Sequence, residues 1–188
     1  MVDATIIEAP PSTKTKKGER DPEMKQTQKG NAWHFGMKAH TGVDAELGLL
    51  HTVIGTAAYA ADVIHAQDLL HGDETDVFVD AGDQGTAKRE ESLGTPVSRH
   101  VAMRPCKRRE LVGYGWAQKL KWVEQIKASI RAKVENPFHI VKNLFRHRKT
   151  RYRGMTKNTA QLHTLIPMTL MFARRLVLNM HARGGFAV

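Results

Sequence analysis

The sequence predicts an α/β domain with a mixed sheet, helices over its faces and one antiparallel hairpin. Three observations lead there. A β-branched apolar segment opens the chain at residues 2–7 (VDATII). An alternating stretch, a turn and a second apolar run follow within residues 33–56. Helix-like patterns fill most of the chain beyond residue 122.

Residues 2–7 read as a strand around one acid, Asp3. Residues 9–31 carry three prolines, many lysines and little periodicity, and read as a long polar, mobile loop. From residue 33 the chain alternates, with Trp33, Phe35, Met37 and Ala39 on one face. Turn residues at 44–48 and the run 49–54 (LLHTVI) complete a β-hairpin. Residues 62–70 read as a helix ending at His71-Gly72. Residues 76–80 (DVFVD) form a compact strand ending on Asp80, with a helix expected over 86–93 and a strand over 97–103. Two helices are expected last, over 122–145 and 158–180, with a basic loop between them.

The length of 188 residues and 41% hydrophobic content suit one well-buried domain. We assign residues 1–172 to that domain and 173–188 to the end of its last helix and a tail. A single cysteine, Cys106, excludes a disulfide framework and a thiolate zinc cluster. The longest apolar region, 162–180, is interrupted by Pro167, Arg174 and Arg175 and does not read as a membrane span. No signal-peptide pattern opens the chain, so a cytoplasmic protein is expected. No phosphate-cradling glycine loop and no nucleophile elbow is present, which leaves nucleotide hydrolysis and serine chemistry unsupported.

The formal net charge of +10 favours a polyanionic partner. Residues 142–157 carry Lys142, Arg146, Arg148, Lys149, Arg151, Arg153 and Lys157 with no acid among them. This segment, with Tyr152 inside it, is the candidate for contact with a phosphate backbone.

Asp3, Asp80 and Glu135 are the candidate chemical residues. Asp3 and Asp80 sit in strand-like contexts where carboxylates are costly unless they are paired or hold a metal. Glu135 lies four residues after Arg131 and seven before Lys142. Offsets of 4 and 7 turn a helix by about 400° and 700°, so the three share a face. Each acid also has an ordinary reading: a turn residue for Asp3, a helix cap for Asp80 and an ion pair with Arg131 for Glu135. Brought together, they would form a hard oxygen site for Mg²⁺ or Mn²⁺. Two such ions about 4 Å apart serve in-line displacement at phosphorus.

Four segments in order carry a resemblance that covers most of the chain: VDATIIEAP, KGNAWHFGMKAHTGVDAELGLLHTVIGTAA, DVFVDAGDQG and SIRAKVENPFHIVK. Together they resemble the C-terminal catalytic portion of bacterial insertion-sequence transposases of the DDE superfamily, in its insertion-sequence-four/five group. The last segment fits that group's signature of arginine, three residues, glutamate, six residues and lysine. The chain departs from the pattern at Ala128, where tyrosine precedes the arginine, and at Asp83, where an aromatic follows the second acid. At residues 59–62 (YAAD) it lacks the histidine of the group's Asn-x-His-Asp. Pro137, two residues after Glu135, adds an expected kink.

The resemblance implies an RNase H-like fold, a mixed five-stranded sheet flanked by helices with a C-terminal helical extension. It implies Mg²⁺-dependent cleavage of DNA and transfer of the cut ends into a target duplex. Asp3, Asp80 and Glu135 would be the metal ligands of a two-metal site. Arg131 and Lys142 would contact terminal DNA or orient the glutamate, joined by Arg146, Arg148, Lys149, Arg151 and Arg153. The implied partners are the element's terminal repeats, target DNA, and a second copy or a full-length transposase. Relatives carry a preceding region that reads terminal repeats, so the chain is expected to be N-terminally truncated. A DNA-binding remnant without catalysis, or an inhibitor of a full-length transposase, is the alternative.

Overall fold

The computed structural model describes residues 1–12, 18–79, 97–113 and 115–182. Six strands run as β1 (Val2–Glu8), β2 (Lys25–Lys29), β3 (Ala32–Val43), β4 (Leu50–Ala57), β5 (Asp76–Val79) and β6 (Ser98–Val101). The helices are α1 (Asp62–His65), α2 (Pro105–Arg109), α3 (Trp116–His139) and α4 (Met155–Ala182). A π-helical segment, Ile140–Leu144, continues α3.

The twelve-residue strand β3 organises the larger sheet. β1 pairs antiparallel along one edge, from Val2 opposite Gly42 to Glu8 opposite Gly36. β4 pairs with Met37–Val43 and β2 with Ala32–Gly36, both antiparallel. β5 and β6 form a separate parallel pair, Asp76 opposite Ser98 through Val79 opposite Val101. The expected β3–β4 hairpin is therefore present, and the described strands fall into a sheet of four and a pair of two.

The polar stretch 9–31 is not all loop, because β2 lies inside it. Its sequence, KQTQK, offers no apolar alternation, and four of its five residues are exposed. What fixes it is the two-residue turn into β3, where Gly30 takes φ +61° as hairpin turns favour. The helix expected over 62–70 is regular only over Asp62–His65. The helix expected over 86–93 lies outside the described residues.

Three apolar clusters fill the interior. Ile7, Met37, Ala39, Val53 and Leu162 join β1, β3 and β4 to α4. Val2, Leu69, Val77 and Val79 join β1 to β5. Met1, Val43, Leu50 and Val134 join the sheet to α3, with Phe78, Ile130 and Phe138 packed against them. Ile130, Val134, Pro137, Phe138 and Val141 recur at helical spacing, which explains why α3 lies with this face inward. Glu124 anchors its other half, accepting the Met103 N–H at 2.8 Å and Lys127 Nζ at 2.8 Å.

β1 is fully formed from Val2, so the acid-bearing strand keeps its ladder. The Met1 ammonium is largely buried and donates to the Val43 carbonyl at 2.8 Å. Burial lowers its pKa, against the pull of Glu74 and Asp44.

Candidate nucleic-acid interface and carboxylate site

A cleft of about 720 Å³ opens between β1 and the end of α3. Thr5, Ile6 and Glu8 line it from β1, and Lys29 and His34 from the β2–β3 hairpin. Glu135, Asn136, His139, Lys142 and Asn143 face it from α3 and its π-helical continuation. Arg148 and Lys149 close it from the basic segment. The balance of charge is cationic, with Lys29, Lys142, Arg148 and Lys149 against Glu8 and Glu135.

Backbone pairing holds the basic segment in place. The Glu8 N–H donates to the Arg148 carbonyl at 3.1 Å, and the Thr150 N–H donates to the Glu8 carbonyl at 2.8 Å. Lys149 thereby bridges Glu8 in parallel fashion, extending the edge of β1. The turn leading there is wide. Pro137 has no N–H for the helical ladder, and the helix loosens into π form three residues later. The Phe145 N–H reaches the Ile140 carbonyl at 2.9 Å, and Arg146 follows with φ +53°.

Side chains within the cleft are ordered by one another. Arg148 Nε and Nη2 both donate to Asn143 Oδ1, the former at 3.1 Å. Asn143 Nδ2 lies 2.9 Å from His139 Nδ1. His34 Nδ1 lies 3.1 Å from Glu8 Oε1. Lys142 is half-buried, and burial lowers its pKa, with Lys29 and Arg148 pushing the same way and Glu8 opposing. Lys142 is thus a desolvated cation among other cations, with Glu8 offsetting part of the repulsion.

The expected residues divide. Glu135, Lys142, Arg148 and Lys149 share the cleft. Asp3 is half-buried on β1 two residues before Thr5, with Oδ1 accepting the Ala4 N–H at 2.7 Å, and it does not line the cleft. Arg131 lies one turn before Glu135, half-buried, and also outside the lining. Arg146 is exposed on the turn. Arg151 and Arg153 point to other surfaces: Arg151 Nη2 donates to the Phe145 carbonyl at 3.2 Å, and Arg153 lies 3.8 Å from Glu19. Asp80 lies outside the described residues, and among the described residues no three His, Cys, Asp or Glu side chains could hold a metal together.

Two features escaped the sequence reading. Lys29 and His34 join the cleft from the distant hairpin, and Glu8 from β1. The basic segment is also less uncompensated than its composition implies. Asp21 accepts the Gly154 N–H at 2.6 Å and Glu23 accepts the Met155 N–H, together capping the start of α4. Two acids two residues apart, ahead of a strand, gave no local sign of a helix start 133 and 132 residues on.

The profile of the transposase DDE domain family matches residues 1–171. The chain belongs to this family. No solved structure matches it. Membership makes DNA the partner and agrees with a cationic cleft that carries the glutamate of the expected triad. No helix among the described residues is long and apolar enough to cross a membrane.

Proposed function

We propose that this chain is the catalytic domain of an insertion-sequence transposase of the insertion-sequence-four/five-like group, cutting DNA and transferring the cut ends with Mg²⁺ or Mn²⁺. The observation that carries the reading is the packing of the residues that precede the three acids. Val2, before Asp3, and Val79, before Asp80, belong to one buried cluster. Val134, before Glu135, packs with Met1 in the next, against Phe78. Packing of Val2, Val79 and Val134, each one residue before an acid in sequence, supports a common site for the three carboxylates on an RNase H-like sheet with a covering helix.

The donor chemistry fits a hard divalent cation, since aspartate and glutamate offer only oxygen ligands and Asp3 stands half-buried on a strand. Asp3, Asp80 and Glu135 would hold such ions in a two-metal site. When bound, they would supply Lewis-acid stabilisation of charge developing at the scissile phosphate. The chain's own cations do the rest. Lys142, Arg148, Lys149 and Lys29 hold phosphates along the cleft, and the Asn143 bridge keeps Arg148 aimed along it. Arg131 orients Glu135 from the preceding turn. Arg146, Arg151 and Arg153 extend the phosphate track beyond the cleft.

The test is cleavage of duplex DNA and joining of the cut 3′-end to a second duplex, with Mg²⁺ or Mn²⁺ and with chelator. We expect metal-dependent products from the parent chain and none from Asp80→Ala. A folded chain that cleaves equally well as Asp80→Ala overturns the assignment. Salt-sensitive DNA binding without any cleavage transfers it to a non-catalytic binding protein.

A further inference from the structure

One histidine of the cleft has no part in the reading above. His139 ends α3 one turn beyond Glu135, and Asn143 follows one turn later in the π-helical continuation. Both line the cleft. With Arg148 they form a series of side chains across the end of the helix. Arg148 donates to Asn143 Oδ1 from Nε at 3.1 Å and also from Nη2, and Asn143 Nδ2 lies 2.9 Å from His139 Nδ1.

The chemistry of these groups fixes each proton in the series. A guanidinium only donates, so the atom of Asn143 that meets it is the carbonyl oxygen and not the amide nitrogen. The other end of the same amide is then an NH₂ group, which also only donates. His139 Nδ1 must therefore accept, and a ring nitrogen accepts only when it carries no proton. The imidazole is thereby neutral, with its single N–H on Nε2. Nε2 has no hydrogen-bond partner among the described residues.

We propose that His139 is a neutral donor to a DNA phosphate in the cleft, its Nε2–H selected by the Arg148–Asn143 series. The inference rests on the DNA-processing reading above and adds to it a residue and its protonation state. Lys142 and Lys149 attract a phosphate by charge, which tolerates many positions of the strand. A neutral N–H adds little attraction at a distance and rewards only an oxygen in line with it. Asn143 is the positioning residue. It holds Arg148 with one end of its amide and His139 with the other, so a cation and a neutral donor are oriented together. An amide turned the other way would set N–H against N–H at Arg148, so the series has one allowed arrangement.

The experiment combines NMR of the full chain with duplex binding, both at pH 8. Long-range proton–nitrogen spectra of ¹⁵N-labelled protein report which ring nitrogen carries the proton, and His139→Gln assigns the signal. His139 is expected as the Nε2–H tautomer in the parent chain and as a mixture in Asn143→Ala, a change that a merely structural asparagine would not produce. His139→Ala should weaken binding of a paired duplex about five- to ten-fold. Its dependence of log affinity on log salt should match the parent chain, because no cation is lost, whereas Arg148→Gln should make that slope shallower by about 1. His139→Gln, whose amide nitrogen falls near the place of Nε2, should retain most of the affinity. An Nδ1–H tautomer in the parent chain overturns the proposal. So does a salt slope shallower by about 1 in His139→Ala, or an affinity that does not change. Each of these results leaves metal-dependent cleavage standing. A parent chain that binds no duplex removes the DNA-processing reading, and this proposal with it.

Discussion

Val2 of β1 and Val79 of β5 lie in the same buried cluster, at 5% and 0% exposure, although the two strands belong to different sheets. Val2 immediately precedes Asp3 and Val79 immediately precedes Asp80 in sequence, so on the proposed reading the packing of this cluster bears directly on the site. Val79→Ala deletes two buried methyl groups and leaves a cavity there. It should lower stability by about 2 kcal/mol. It should also lower strand cleavage by more than the unfolded fraction explains, because the acids lose register. Urea denaturation alongside cleavage rates would decide; a rate that merely tracks the folded population would disconnect Val79 from the site.

Gly36 sits where β1, β2 and β3 meet, opposite both Glu8 and Lys25. A Cβ there would overlap the Ile7 carbonyl oxygen and approach Ala9 N and Glu8 Cα at 2.9 Å. These are backbone atoms that cannot swing aside. Gly36→Ala should therefore cost about 3 kcal/mol or more and loosen the Glu8 edge on which Lys149 is registered. A midpoint in urea unchanged from the parent chain would show that β1 has room to retreat.

How much of this was written locally explains what could be read. The β3–β4 hairpin is legible because its alternation and its turn are contiguous. β2 was illegible because its stability comes from pairing with β3, and only Gly30-Asn31 announced it. Pro137 lies inside an unbroken helix, and the π-helical segment Ile140–Leu144 that follows it had no sign of its own in the sequence. The cleft itself is non-local. Glu135 and Lys142 share it as their spacing implied, whereas Lys29 and His34 reach it only through the sheet. Asp21 and Glu23 capping α4 are contacts that no window of sequence contains.

Acid sensitivity should begin well above the carboxylate range. Burial lowers the His40 pKa to about 4, partly opposed by Asp62 and reinforced by His65 and Lys38. Burial likewise lowers His51, with His71 adding to it, and His147, with Arg151 adding to it. A histidine with a depressed folded pKa is neutral in both states above its unfolded value, about 6.5. Below that value the unfolded chain takes up the proton first, so stability falls as pH drops from about 6.5 towards the folded pKa. For His40 alone the loss is on the order of 3 kcal/mol by pH 4, at about 1.4 kcal/mol per unit. His40→Gln, which can still reach Thr56, should flatten much of that slope. Urea midpoints at pH 8, 6.5 and 5 test it; a stability that is constant down to pH 5 would contradict the buried neutral state.

Lys142 should report on phosphate binding more sharply than any exposed cation of the basic segment. Its ammonium is half-buried, with Lys29 and Arg148 pressing on it and Glu8 partly compensating. A DNA phosphate entering the cleft would relieve that repulsion, so binding should raise the Lys142 pKa. Lys142→Gln removes one phosphate contact and one repelled charge together. Its dependence of log affinity on log salt should be shallower by about 1, with weaker binding to all duplex sequences alike. Because the repulsion also strains the free protein, the same variant should be no less stable than the parent chain in urea at low salt. Arg146→Gln, on the exposed turn, should change the salt slope without this gain. An unaltered slope in Lys142→Gln would mean that the backbone does not pass through this cleft.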